Sequence, residues 1–241
     1  MCGDPGSAGT YSILSRATEA SRTPAAPLRY PPTPKAVVTD DYHGTIIADP
    51  YRRLEDLNSD ETGTWIQAQN RVTFEYLESL PLRGPFRRRI TELWDNPKIG
   101  IPWREGGRIW YLKNSGLQRQ AVLYSRAGIE APATVVIDPN ALSPDGSISL
   151  AQSSPSPDGK LLAYALSEGG ADWQTVYVRD LATGGDVAGD SVRWVRFSGI
   201  SWTRDGKGFF YSRFPAPPEG KRLEAALGIH SLYYHRIGTA Q

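Results

Sequence analysis

The 241-residue sequence predicts a mainly β fold of repeated strand units behind a helical N-terminal segment, and three observations predict it. Apolar residues keep helical spacing only as far as about Asn96. Beyond that point, short β-branched and aromatic runs alternate with Gly, Asp, Asn and Ser turns. Within this second part, one pattern that closes on tyrosine occurs three times.

Residues 1–29 are rich in Ser, Thr, Ala, Gly and Pro and read as a disordered tail, with no apolar run long enough for a signal-peptide core. The tail holds the single cysteine, Cys2, so no intrachain disulfide can form and a reducing, cytoplasmic setting is expected. Residues 30–97 form the helical segment. Tyr30-Pro31-Pro32-Thr33-Pro34 opens it as extended chain, because each proline pushes the residue before it out of the helical region. Asn58, Ser59, Asp60 and Glu61 then supply cap-forming groups and first-turn acids. Trp65, Ala68, Val72, Tyr76 and Leu80 follow at helical spacing up to Pro81. A shorter helix is expected after Gly84-Pro85, with Phe86, Ile90, Leu93 and Trp94 on one face and Arg87, Arg88 and Arg89 mostly on a solvated one.

Residues 98–241 carry the repeat. Glu105-Gly106-Gly107-Arg108-Ile109-Trp110-Tyr111, Asp158-Gly159-Lys160-Leu161-Leu162-Ala163-Tyr164 and Asp205-Gly206-Lys207-Gly208-Phe209-Phe210-Tyr211 each place a tyrosine six residues after an acid. Starts at 105, 158 and 205 give periods of 53 and 47 residues, near the span of a four-stranded propeller blade. A second strand follows in each unit, at Ala121–Tyr124, Thr175–Val178 and Ser231–Tyr234. Its tyrosine lies 13 residues on in the first two units (124 and 177) and 23 in the third (234), which implies an insertion around Pro215 to Leu227. The tight turns suit Asp-Gly, because glycine takes positive φ and aspartate bonds back to the chain. About three blades cannot close a ring, so the propeller is expected to be incomplete and the chain interrupted.

Charge and motifs exclude several functions. With 27 basic and 26 acidic residues the chain has no broad field for a phosphate backbone, and no apolar run reaches membrane-span length, so neither nucleic acid nor membrane is an expected partner. Serine hydrolysis commonly displays its nucleophile on a Gly-x-Ser-x-Gly elbow. The nearest string, Gly189-Asp190-Ser191-Val192-Arg193, ends on arginine instead of glycine. His43, His230 and His235 show no paired spacing with another ligand or acid, and Asp40-Asp41 and the acids of residues 49–56 read as loop caps. No catalytic, metal or cofactor-binding residue is expected in the chain.

Several strings together resemble the N-terminal part of the prolyl oligopeptidase family of serine peptidases. They are Asp41-Tyr42-His43-Gly44, Asp49-Pro50-Tyr51-Arg52-Arg53-Leu54-Glu55-Asp56, Gln67-Ala68-Gln69-Asn70, Asn114 through Tyr124, Gly170-Ala171-Asp172-Trp173, Asp205 through Ser212 and Leu232-Tyr233-Tyr234-His235. Arg53 departs from the pattern, standing where the family usually has tryptophan. The resemblance implies an incomplete seven-bladed β-propeller, with residues 30–97 packing on an α/β-hydrolase domain that carries the catalytic residues and is absent from this chain. It further implies a monomeric enzyme that cleaves short peptides after proline, the propeller serving as gate and scaffold. The residues also fit two alternatives, a stand-alone, catalytically inactive propeller-type interaction module and a fragment of an oligopeptidase B-like peptidase.

Overall fold

The structure is a computed structural model that describes residues 27–220, 222 and 227–241. Most of the expected tail, with Cys2, lies outside the described residues, as do residue 221 and residues 223–226 of the expected insertion. The chain divides into two compact units, Met1–Phe86 and Arg87–Gln241.

In the first unit, strands β1 (Thr39–Tyr42) and β2 (Thr45–Ala48) pair as an antiparallel hairpin. Sequence reasoning placed loop here, so this is a correction: Asp41 caps the Gly44 amide at 2.6 Å, and His43 and Gly44 take positive φ to turn the chain. Arg52 then binds both Asp40 and Asp49, fastening the hairpin to the turn that follows. Helix α1 (Asp60–Ser79) starts where expected, with the Ser59 hydroxyl accepting from the Thr62 amide at 3.2 Å. Trp65 donates its indole N–H to Thr33 at 2.9 Å, which ties the proline-rich segment to α1. Arg53 pairs with Glu61 and lines a cavity of about 460 Å³ with Pro31, Pro32, Tyr51 and Trp65. Helix α2 (Arg83–Trp94), which begins in the first unit and ends in the second, starts before Gly84-Pro85, since proline is tolerated in a first turn whose N–H groups have no helical partner. Its Phe86, Ile90, Leu93 and Trp94 remain exposed.

The second unit is built from antiparallel meanders of three to five strands. In the first blade, β3 (Lys98–Ile99) and β4 (Trp103–Glu105) share one edge of β5 (Arg108–Asn114), which continues to β6 (Val122–Arg126) and β7 (Thr134–Ile137). A short helix, α3 (Pro139–Leu142), leads to the second blade, β8 (Ile148–Pro155), β9 (Leu161–Glu168), β10 (Gln174–Asp180) and β11 (Asp186–Val195). The third has β12 (Ser201–Trp202), β13 (Gly208–Arg213) and β14 (Ser231–Arg236). The second and third blades touch along their edges at one residue pair, Val195 with Arg213, so the sheet connecting them is a bridge between blades rather than one continuous ladder.

The tyrosine pattern finds its explanation in the register. Tyr111 faces Tyr124, Tyr164 faces Tyr177 and Tyr211 faces Tyr233, with ring centroids 5.5, 5.6 and 5.8 Å apart. The third partner is therefore Tyr233 and not Tyr234, which pairs with Phe210. An arginine covers each pair: Arg126 lies over Tyr111, Arg179 over Tyr164 and Arg213 over Tyr233.

Blade-to-blade packing follows the period-two alternation of β9. Leu162 and Tyr164 join Trp110, Leu123 and Ile137 of the first blade in one buried cluster. Ala163 and Ala165, on the opposite face, join Val176, Val178, Val192 and Val195 against Phe209 and Tyr211 of the third. Large residues thus fill one seam, and small ones let the next blade approach closely. Burial and a hydrogen bond to Asp186 hold the Tyr164 hydroxyl protonated far above the ordinary phenol range.

Candidate functional site

Alternation of strand direction gives the second unit two unlike ends. The tight turns at residues 105–108, 156–160 and 203–207 lie at one end, here the turn face. Residues 115–121, 138–147, 169–173, 196–200, 214–220, 222 and 227–230 lie at the other, the loop face, where chemistry-bearing side chains gather.

The densest cluster sits on the loop face around the β9–β10 turn. Arg196 forms an ion pair with Asp172 and lies over the rings of Trp173 (5.4 Å) and Phe197 (4.7 Å). Trp173 meets Trp194 and Phe214 edge-on and donates its indole N–H to the Arg222 carbonyl at 2.9 Å. Trp194 and Phe197 both take left-handed backbone, with φ of 63° and 53°, which bulky residues rarely adopt. Such strain persists where surrounding contacts impose it, and here it projects Phe197 into solvent at 67% exposure. Two cavities flank the cluster and share Gln174. One is about 290 Å³ and is lined by Leu166, Glu168, Trp173 and Trp194; the other is about 620 Å³ and is lined by Ser149, Gln152, Asp172 and Phe197. The arrangement suits a contact surface for a flexible polar and aromatic chain, with backbone, hydroxyl and amide groups on one side and aromatic faces on the other.

The three histidines occupy separate places. His43 lies in the exposed β1–β2 turn, and His230 stacks on Phe214 at 4.4 Å. His235 is buried, and its Nε2 lies 3.0 Å from Asp190 Oδ1, while the Gly238 amide donates to both oxygens of that carboxylate. Sequence spacing gave no sign of this pair, whose members lie 45 positions apart on β11 and β14. It joins the second and third blades, and no serine or other nucleophile contacts it among the described residues. Ser191 lies in β11 opposite Tyr177, in extended strand instead of a strand-to-helix elbow. Asp40 and Asp49 serve Arg52, and Asp41 serves the hairpin turn. Among the described residues, no group of three or more His, Cys, Asp or Glu could hold a metal ion, and no helix is long and apolar enough to cross a membrane.

Fold and site together define an arc of a β-propeller whose contact groups stand on one loop-bearing face. The family described as prolyl oligopeptidase, N-terminal beta-propeller domain, matches residues 31–241, and the chain belongs to that family. A prolyl endopeptidase of Elizabethkingia miricola is 39% identical over 214 residues, covering 89% of this chain and 30% of the relative. A dual function macrocyclase-peptidase of Amanita bisporigera is 36% identical over 244 residues, covering 91% and 33%. Among solved structures, one from a study of two prolyl endopeptidases superposes with a TM-score of 0.79 at 34% identity, covering 88% of this chain and 31% of the other. Prolyl oligopeptidase B from Galerina marginata, bound to a 35mer hydrolysis and macrocyclization substrate, gives 0.76 at 32% identity, covering 90% and 33%. The chain thus spans about a third of the length of the curated relatives it matches.

Proposed function

We propose that this chain is the N-terminal and propeller portion of a prolyl oligopeptidase-like serine endopeptidase that cleaves short peptides after proline. The observation that carries the reading is the family match over residues 31–241, together with a strand register that repeats blade by blade. In this reading the propeller is gate and scaffold, and nucleophile, base and oxyanion donors belong to an α/β-hydrolase domain outside this chain. The loop face, with its strained Trp194 and Phe197, turns toward that domain and guides short flexible peptides. Walls of this kind exclude folded proteins and keep water from the reacting bond, where donors act at low dielectric. The whole peptidase, with its hydrolase domain, works as a monomer in the cytoplasm, a setting that one cysteine in the 241 residues of this chain suits.

The test compares two proteins, this chain alone and the same chain joined to a family hydrolase domain, on a short blocked peptide with an internal proline. Cleavage after proline by the joined protein and none by the chain alone is expected. Proline-directed cleavage by the chain alone would contradict the assignment of catalysis to a separate domain.

A further inference from the structure

The seam between the first and second blades is complete within this chain, and at the turn face it opens into a cavity of about 190 Å³. Arg108, Ser125, Thr134, Arg179 and Gly184 line it. Arg108 heads β5 on the side of Trp110, the side that packs on the second blade. Arg179 follows Tyr177 on β10, on the side that packs on the first. Two guanidinium groups therefore meet a single small cavity from opposite walls.

Their charges are compensated unequally. Arg179 pairs with Asp186 at 2.9 Å and sends another N–H to the Val136 carbonyl at 2.6 Å, so it is fixed and nearly neutralised. Arg108 bonds only to the Ser125 hydroxyl, through Nε at 3.1 Å and Nη2 at 3.0 Å, and forms no ion pair among the described residues. Glu105, opposite Arg108 in register, makes none with it. Ser125 is itself 2% exposed, so a buried hydroxyl holds the uncompensated guanidinium at the mouth of an apolar seam. A half-buried cation without a carboxylate partner, on the same cavity as an arginine whose charge a single carboxylate offsets, favours an added anion.

We infer that this cavity binds a small tetrahedral oxyanion of the phosphate or sulfate class, held by Arg108 with the Thr134 hydroxyl and the Arg179 edge. Guanidinium groups match such oxygens with two parallel N–H bonds, and a bound anion bridges the two blades and stabilises their seam. The site faces away from the loop face and does not depend on peptidase activity.

Calorimetric titration of this chain with inorganic phosphate, at constant ionic strength made up with chloride, tests the inference. Saturable binding at one site is expected, with affinity lowered about tenfold or more in Arg108→Gln and partly kept in Arg108→Lys. Arg119→Gln, on the loop face, is expected to leave it unchanged. If Arg108→Gln does not fold, Thr134→Val decides in its place, since Thr134 is exposed and its hydroxyl alone is removed. No saturation at millimolar phosphate, or the same affinity in the variant that decides, overturns the site.

Discussion

At the scale of single residues, carboxylates that close tight turns set how the molecule responds to acid. Asp145 accepts from the Ser143 hydroxyl and from the Ser147 amide, and these bonds lower its pKa from 3.8 to about 2. Asp158 and Asp205 are lowered by the same device, a hydroxyl from Ser156 or Thr203 with an amide from Lys160 or Lys207. A folded pKa below the unfolded one contributes stability above the unfolded value, and that contribution is lost as pH falls through the folded value. These turns should therefore be insensitive to pH from 5 upward and loosen between about pH 4 and 2. Chemical denaturation at a series of pH values measures the effect. Asp145→Asn should remove part of the acid slope, and an unchanged slope would show that the Asp145 bonds do not report on folding.

At the scale of elements, the hairpins were legible and their partners were not. The acid-to-tyrosine spacing disclosed β5, β9 and β13, because a tight turn and a strand of alternating burial are both local properties of sequence. The third tyrosine partner fell one position away from its expected place, since an insertion leaves the register free until tertiary packing fixes it. The β1–β2 hairpin is not legible in the sequence, because acids flank it and its strands bury almost nothing, so no alternation marks them. Of the loop-face cluster, Asp172 and Trp173 stood in a recognisable string, whereas the roles of Arg196 and Phe197 depend on left-handed backbone that no residue preference announces.

Turn glycines carry more than conformation. Gly106 and Gly159, with φ of 55° and 70°, lie backbone to backbone, and a Cβ on Gly159 would overlap the Gly106 carbonyl oxygen. Gly159→Ala combines left-handed strain with overpacking between blades and should cost at least about 2 kcal/mol. The equivalent Gly206→Ala finds only Asp158 atoms at 4.0 Å and should cost about 1 to 2 kcal/mol, from backbone strain alone. Paired thermal melts distinguish the two, and equal losses would mean that the turn-to-turn contact contributes nothing.

For the whole molecule, the far side of the third blade presents Phe210, Leu232 and Tyr234 at 43%, 70% and 46% exposure, on strands whose outer edge, β14, pairs only with β13 among the described residues. An apolar strand edge of this kind recruits other chains unless covered. Sedimentation of the chain should show association that grows with concentration, and Leu232→Lys should reduce it. A single monomeric boundary at every concentration would contradict the expectation.

Every tyrosine pair with its arginine belongs to the same flank of its blade, as Tyr164 shows by joining the first blade and Tyr211 by joining the second. The arc is consequently a vector, with a Tyr111–Tyr124 socket as its tail and a Leu232 ridge as its head. Two copies that meet through these flanks must line up head to tail, and an interface of that sort propagates unless its rotation closes a circle. A polypeptide that caps the ridge therefore also ends such a polymer.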